Sequence, residues 1–228
     1  MMGVGAPGEV ADMLTLCEPP QCTPDDDTTE WDRTCGMVTA FTGPFEDNPE
    51  NPSSIILDEL EKDGAEHLSF FKLQVSYEEV TKKIPELWKQ QFWNFAVHLD
   101  PHSVRNRIYI EQRAFSNGYS NPDSLGFTPE NGEAPSNMNL PEMKCPKNCE
   151  ELSREVNEKC GLDGEKYGGL LVEKSEDPGR FVESYMYFIS LQQSPWNTIL
   201  VKVPPLEGEC TKEAVASVIR EVVKLAFK

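Results

Sequence analysis

The chain has 228 residues, with 39 acidic against 21 basic side chains and a formal net charge of -18. That length suits one α/β domain with a substantial core rather than two full domains, and the acidic balance argues against nucleic acid or an anionic membrane surface as a partner. No run approaches the roughly 18 apolar residues of a membrane span, and the opening MMGVGAPGEVADML lacks both a basic start and a continuous apolar segment, so a cytosolic protein is expected.

Residues 1–33 carry Asp25, Asp26, Asp27, Glu30 and Asp32 against a single Arg33, with prolines and no sustained apolar period. A disordered acidic tail is expected there, followed by one domain over 34–228. From Gly36 onward, short apolar runs alternate with amphipathic stretches. The runs Met37–Phe41, Phe71–Val75, Phe95–Leu99, Ile108–Glu111, Gly169–Glu173 and Thr198–Val203 are too short, and too rich in β-branched and aromatic residues, for helices. Asn51-Pro52 is a start signal for a helix through SSIILDELEK that stops near Gly64. Ser76 and Glu79 form a capping box for a second helix, with Val80, Ile84, Leu87 and Trp88 on one face and a kink expected at Pro85.

Between Ser116 and Lys144 lies a long stretch rich in Asn, Pro, Gly and Ser, of a length expected of a lid or binding loop beside a site. Glu150–Cys160 reads as a third helix, ended by Gly161. Pro178–Gln193 reads as a central buried one because apolar groups surround most of it, and Thr211 caps a last helix with Val215, Val218, Val222 and Leu225 facing inward. The order predicts a single three-layer α/β/α domain with a mixed, mostly parallel sheet of the phosphorylase/hydrolase-like kind. The seven cysteines show no paired CxxC spacing and are expected to be free thiols, with Cys145 and Cys149 the one close pair.

Four segments in order carry a resemblance: VTAFTGPFEDNPENPSS (Val38–Ser54), VSYEEVTKKIPELW (Val75–Trp88) followed by FAVHL, IYIEQRAFSNGY (Ile108–Tyr119), and SEDPGRFVESYMYFISL (Ser175–Leu191) with VKVPPL (Val201–Leu206). Together they resemble the pyroglutamyl-peptidase I family, cytosolic cysteine peptidases that remove N-terminal pyroglutamate. The resemblance implies that Glu111 matches the family's catalytic glutamate and that Phe41 and Phe45 match the aromatic wall of the pyroglutamyl pocket. It also implies that Gly179 precedes the nucleophile position by four residues. The chain departs from the family there: Glu183 stands in place of the cysteine and Lys202 in place of the histidine. The opening loop also carries one extra residue near Thr42, and Asp100 and His102 stand where the family tends to have glycines.

A thiolate at a helix start is nucleophilic because the helix dipole and a neighbouring imidazolium lower its pKa, whereas a carboxylate there is a far weaker nucleophile. A lysine held beside a carboxylate stays protonated at pH 7 and cannot act as the base that histidine would be. A catalytically inactive relative with a binding or regulatory role is therefore expected, the alternative being an active or weakly active pyroglutamyl peptidase or carboxylate-based hydrolase. The charge-for-charge exchange also predicts a partly buried Glu183–Lys202 salt bridge, with Glu111 as a second acceptor. Pyroglutamyl peptides are the implied partners, with homo-oligomerisation or pairing with an active relative as further expectations; no cofactor or metal is implied.

Overall fold

Apolar runs that alternate with amphipathic stretches can bury both faces of a strand only if helices cover the sheet on both sides. The computed structural model, which describes residues 35–62 and 67–227, has that arrangement. A six-stranded sheet runs in the order β2 (Leu68–Leu73), β1 (Gly36–Phe41), β3 (Phe95–Pro101), β8 (Thr198–Val203), β4 (Arg107–Glu111), β7 (Leu171–Ser175). β2, β1, β3 and β8 are parallel; β4 pairs antiparallel to β8 and parallel to β7, so the sheet is mixed and largely parallel. Every residue of β1 and β3 is buried, as expected of strands covered on both faces.

Helices α1 (Pro52–Lys62) and α3 (Cys149–Cys160) pack on the sheet and α6 (Lys212–Ala226) packs against both of them, while α2 (Tyr77–Gln90) and α5 (Val182–Gln193) pack together. A four-residue turn, α4 (Lys166–Gly169), leads into β7. The predicted caps form: Ser76 accepts from the Glu79 N–H, Thr211 accepts from the Ala214 N–H, and Gly161 ends α3 in a left-handed conformation. α2 runs from Tyr77 to Gln90 through Pro85. α5 has ten of its twelve residues buried, from Val182 to Leu191, which matches its all-round apolar pattern.

Some boundaries differ from the sequence expectation. β2 ends at Leu73 rather than Val75, because Gln74 and Val75 form the exit to the Ser76 cap, and β7 begins two residues after Gly169. The long polar stretch ends in a short strand, β6 (Glu142–Lys144), which pairs antiparallel with β5 (Arg113–Phe115) just before the stretch, and this ribbon lies against α5. Cys35 is engaged in a disulfide, a departure from free thiols throughout, whereas Cys145, Cys149, Cys160 and Cys210 are free. The expected acidic tail and the Gly64 helix stop lie outside the described residues. Among the described residues, no helix is long and apolar enough to cross a membrane.

The α5 face of the sheet contains a buried polar chain. His98 Nδ1 lies 2.7 Å from Thr39 Oγ1 and its Nε2 2.7 Å from Ser190 Oγ, which also accepts from Trp88 Nε1 at 2.9 Å. Burial pushes the His98 pKa down to about 3, so the ring is neutral and ties β1, β3, α5 and α2 together. Ser190→Ala would strand both His98 Nε2 and Trp88 Nε1. At about 1–3 kcal/mol for an unsatisfied buried group, urea denaturation should show a loss of roughly 2–4 kcal/mol, and a loss below about 0.5 kcal/mol would contradict the network's role.

Candidate functional site

The C-terminal ends of parallel strands are where open α/β sheets leave a crevice. Here a cleft of about 770 Å³ lies beyond the ends of β1, β2, β3 and β8, closed on one side by the start of α5. Its floor holds Asp100 from β3, Lys202 from β8 and Glu183 from α5; its rim includes Phe45, Gly179 and residues 122–125 of the long polar stretch, which borders the cleft as its length predicts. The rim is fastened by Asp123, whose carboxylate accepts from the N–H groups of Tyr77, Leu125 and Phe127, and by Ser124, which bonds the Val75 carbonyl.

Gly179 adopts φ +84 in the turn that feeds α5, a conformation that L side chains rarely adopt. Its N–H and the Arg180 guanidinium both bond Asp177 Oδ1, at 3.1 and 2.8 Å, and the guanidinium also sits 3.6 Å over the Phe115 ring. This fixed turn aims Glu183, the second residue of α5, into the cleft.

The predicted Glu183–Lys202 bridge is not what forms. Lys202 Nζ pairs with Asp100 Oδ2 at 3.2 Å and donates to the Pro178 carbonyl at 2.8 Å. The reason is the sheet: β3 and β8 are parallel neighbours with Asp100 in register with Lys202, so the two side chains leave the same face side by side. Burial alone would lower the Lys202 pKa, but the Asp100 carboxylate, its largest counter-charge, with Glu111 and Glu183 adding to it where they are ionised, outweighs burial and raises the pKa. For Asp100, burial outweighs the attraction of Lys202 and raises the pKa to about 6.

Glu183 is 8% exposed, and no side chain among the described residues hydrogen-bonds its carboxyl. Burial, reinforced by the Asp100 charge and only partly opposed by its own backbone N–H and by Lys202, raises its pKa to about 8, so it carries a proton at neutral pH. Glu111 lies deeper, fully buried on β4, with neither carboxyl oxygen making a well-formed hydrogen bond. Burial raises its pKa to about 7 against the pull of Lys202 and the nearby Ser175 hydroxyl.

Of the residues singled out from the sequence, Phe45, Gly179, Glu183 and Lys202 line the cleft, and Glu111 couples to it through Lys202. Phe41 does not line it: the side chain is fully buried at the end of β1 in the hydrophobic core. Asp100 is the floor residue whose role sequence reasoning missed, although its place in a segment expected to hold glycines was a signal. Cys145 and Cys149 are buried on the far side of Glu111, Cys149 Sγ lying 3.8 Å from its carbonyl. Among the described residues no group of three or more His, Cys, Asp or Glu is arranged to hold a metal ion.

Architecture and cleft together define an α/β/α scaffold of the pyrrolidone carboxyl peptidase type. The enzyme of that name from Fervidobacterium islandicum superposes with a TM-score of 0.69 at 21% identity, covering 84% of this chain and 97% of its own. The one from Thermococcus litoralis superposes with 0.68 at 16%, covering 85% and 93%. Residues 13–207 match the family described as putative pyroglutamyl peptidase, and the chain belongs to that family. Human pyroglutamyl-peptidase 1 is 27% identical over 203 residues, 86% of this chain and 90% of the relative, and human pyroglutamyl-peptidase 1-like protein is 25% identical over 157 residues, 69% and 75%.

Proposed function

We propose that this chain is a non-catalytic member of the pyroglutamyl peptidase family that uses its cleft for binding, in a regulatory or recognition role. The observation that carries the reading is the chemistry of the cleft floor. Glu183 and Lys202 occupy the positions that the resemblance gives to nucleophile and base, and the residues lining the cleft include neither a thiol nor an imidazole. A protonated carboxyl offers no nucleophilic oxyanion, and an ammonium paired with Asp100 has no lone pair with which to accept a proton. A hydrolase built on Glu111 and Glu183 would need Glu111 to reach substrate, and Glu111 is fully buried and does not line the cleft.

The test is turnover of a pyroglutamyl aminomethylcoumarin substrate by the purified chain. The expected result is no release above the uncatalysed rate, with Glu111→Gln indistinguishable from the parent. Release that is abolished by Glu111→Gln would sink the non-catalytic reading.

A further inference from the structure

Resting on that reading, we infer that the cleft recognises a protonated amine, such as the unblocked amino terminus of a peptide, with the Glu183 carboxylate as its counter-ion. Three carboxyl groups, Asp100, Glu111 and Glu183, act electrostatically on the Lys202 ammonium. Lys202 is committed to Asp100 and to the Pro178 carbonyl, and Arg180 to Asp177 and the Phe115 ring. Asp123 is saturated by backbone N–H groups. That leaves Glu183, at 8% exposure and lining the cleft, as the floor group without a side-chain partner.

A buried carboxyl without a counter-ion holds a proton in its place, and a ligand cation that enters the cleft can replace that proton and form a charge-assisted hydrogen bond. The groups that bear on Glu183 are Asp100 from β3, Lys202 from β8 and Tyr77 from α2, with Asp123 on the rim. The overall charge of -18 favours approach of a cation in the same sense. The N-terminal dipole of α5 favours the ionised form of Glu183, and its repulsion of the ammonium is weaker because the ammonium seats farther from the helix end, beyond the carboxylate. Apolar surface at Phe45, Val75 and Leu125 is available to the first side chain of such a ligand.

The probes are prolyl-alanine amide, whose ring nitrogen is a protonated amine, its N-acetyl derivative, and pyroglutamyl-alanine amide, which has the same five-membered ring as a neutral lactam. In calorimetry with the full chain at pH 7, the amine should bind at least about ten-fold more tightly than either neutral probe, the factor expected of one charge-assisted hydrogen bond. It should release about one proton to buffer per ligand, as expected for a carboxyl that is protonated when free. Glu183→Gln, a substitution of similar shape that should fold, is expected to abolish both the preference and the proton release. A lactam that binds as well as the amine, a preference that survives Glu183→Gln, or binding of none of the three would overturn the assignment. The same preparations assayed with pyroglutamyl aminomethylcoumarin keep the two claims separate: turnover contradicts the non-catalytic reading, and the order of binding decides the ligand class.

Discussion

Lys202→Met is expected to destabilise the fold by about 3–5 kcal/mol at pH 7, the cost of removing one partner from a buried ion pair. Asp100 is 2% exposed and pairs with this one ammonium, so the substitution leaves its charge in the core. The Pro178 carbonyl loses its donor at the same time, which loosens the turn that aims Glu183. Asp100 can escape by taking up a proton, so the loss should shrink as pH falls toward 5. The double exchange Asp100→Asn with Lys202→Met should recover most of the loss, because no uncompensated charge remains. Urea denaturation of the two variants at pH 7 checks this: a cost below about 1 kcal/mol for Lys202→Met would mean that the pair is exposed and interchangeable.

The second large effect has the opposite sign. Glu183 has a folded pKa near 8 against an ordinary value of 4.5, so the folded chain holds this proton more tightly than the unfolded one. The stabilisation from that proton is complete below about pH 4.5 and is lost as pH rises through 8. Asp100 near 6 and Glu111 near 7 act in the same direction, so stability should fall across pH 4.5–8. Glu183→Gln keeps the shape of the protonated acid without its titration. It should therefore be more stable than the parent by about 2–4 kcal/mol at pH 8.5 and nearly equal at pH 5. Thermal melts at the two pH values check the difference, and equal melting temperatures at pH 8.5 would contradict it.

The scaffold was legible because its signals are local. The Ser76 and Thr211 caps, Gly161 and the all-round apolar α5 each fix an element from a few adjacent residues, and the element order then implies the layers. The β5–β6 ribbon was not legible, since two three-residue strands at either end of a polar stretch are too short to show a periodicity. Glu183 and Lys202, singled out from the sequence, both line the cleft, but pairing them with each other assumed that compensating charges meet. The actual partner of Lys202 is set by sheet order: β3 and β8 are far apart in the chain yet adjacent in the sheet, and their register puts Asp100 beside the ammonium. Phe41 shows the converse limit, since an aromatic at a strand end can face core or cleft and the neighbouring layers decide which.

The cleft's chemistry turns on one proton. Carbon-13 NMR of the chain labelled at glutamate Cδ, with the Glu183 signal assigned by its disappearance in Glu183→Gln, reads the ionisation of that carboxyl directly. The Glu183 carboxyl should be neutral at pH 7 and titrate near pH 8. A Glu183 resonance that titrates near 4.5 would instead place a charged carboxylate on the floor, contradicting both the unpaired acid and the pH dependence derived from it.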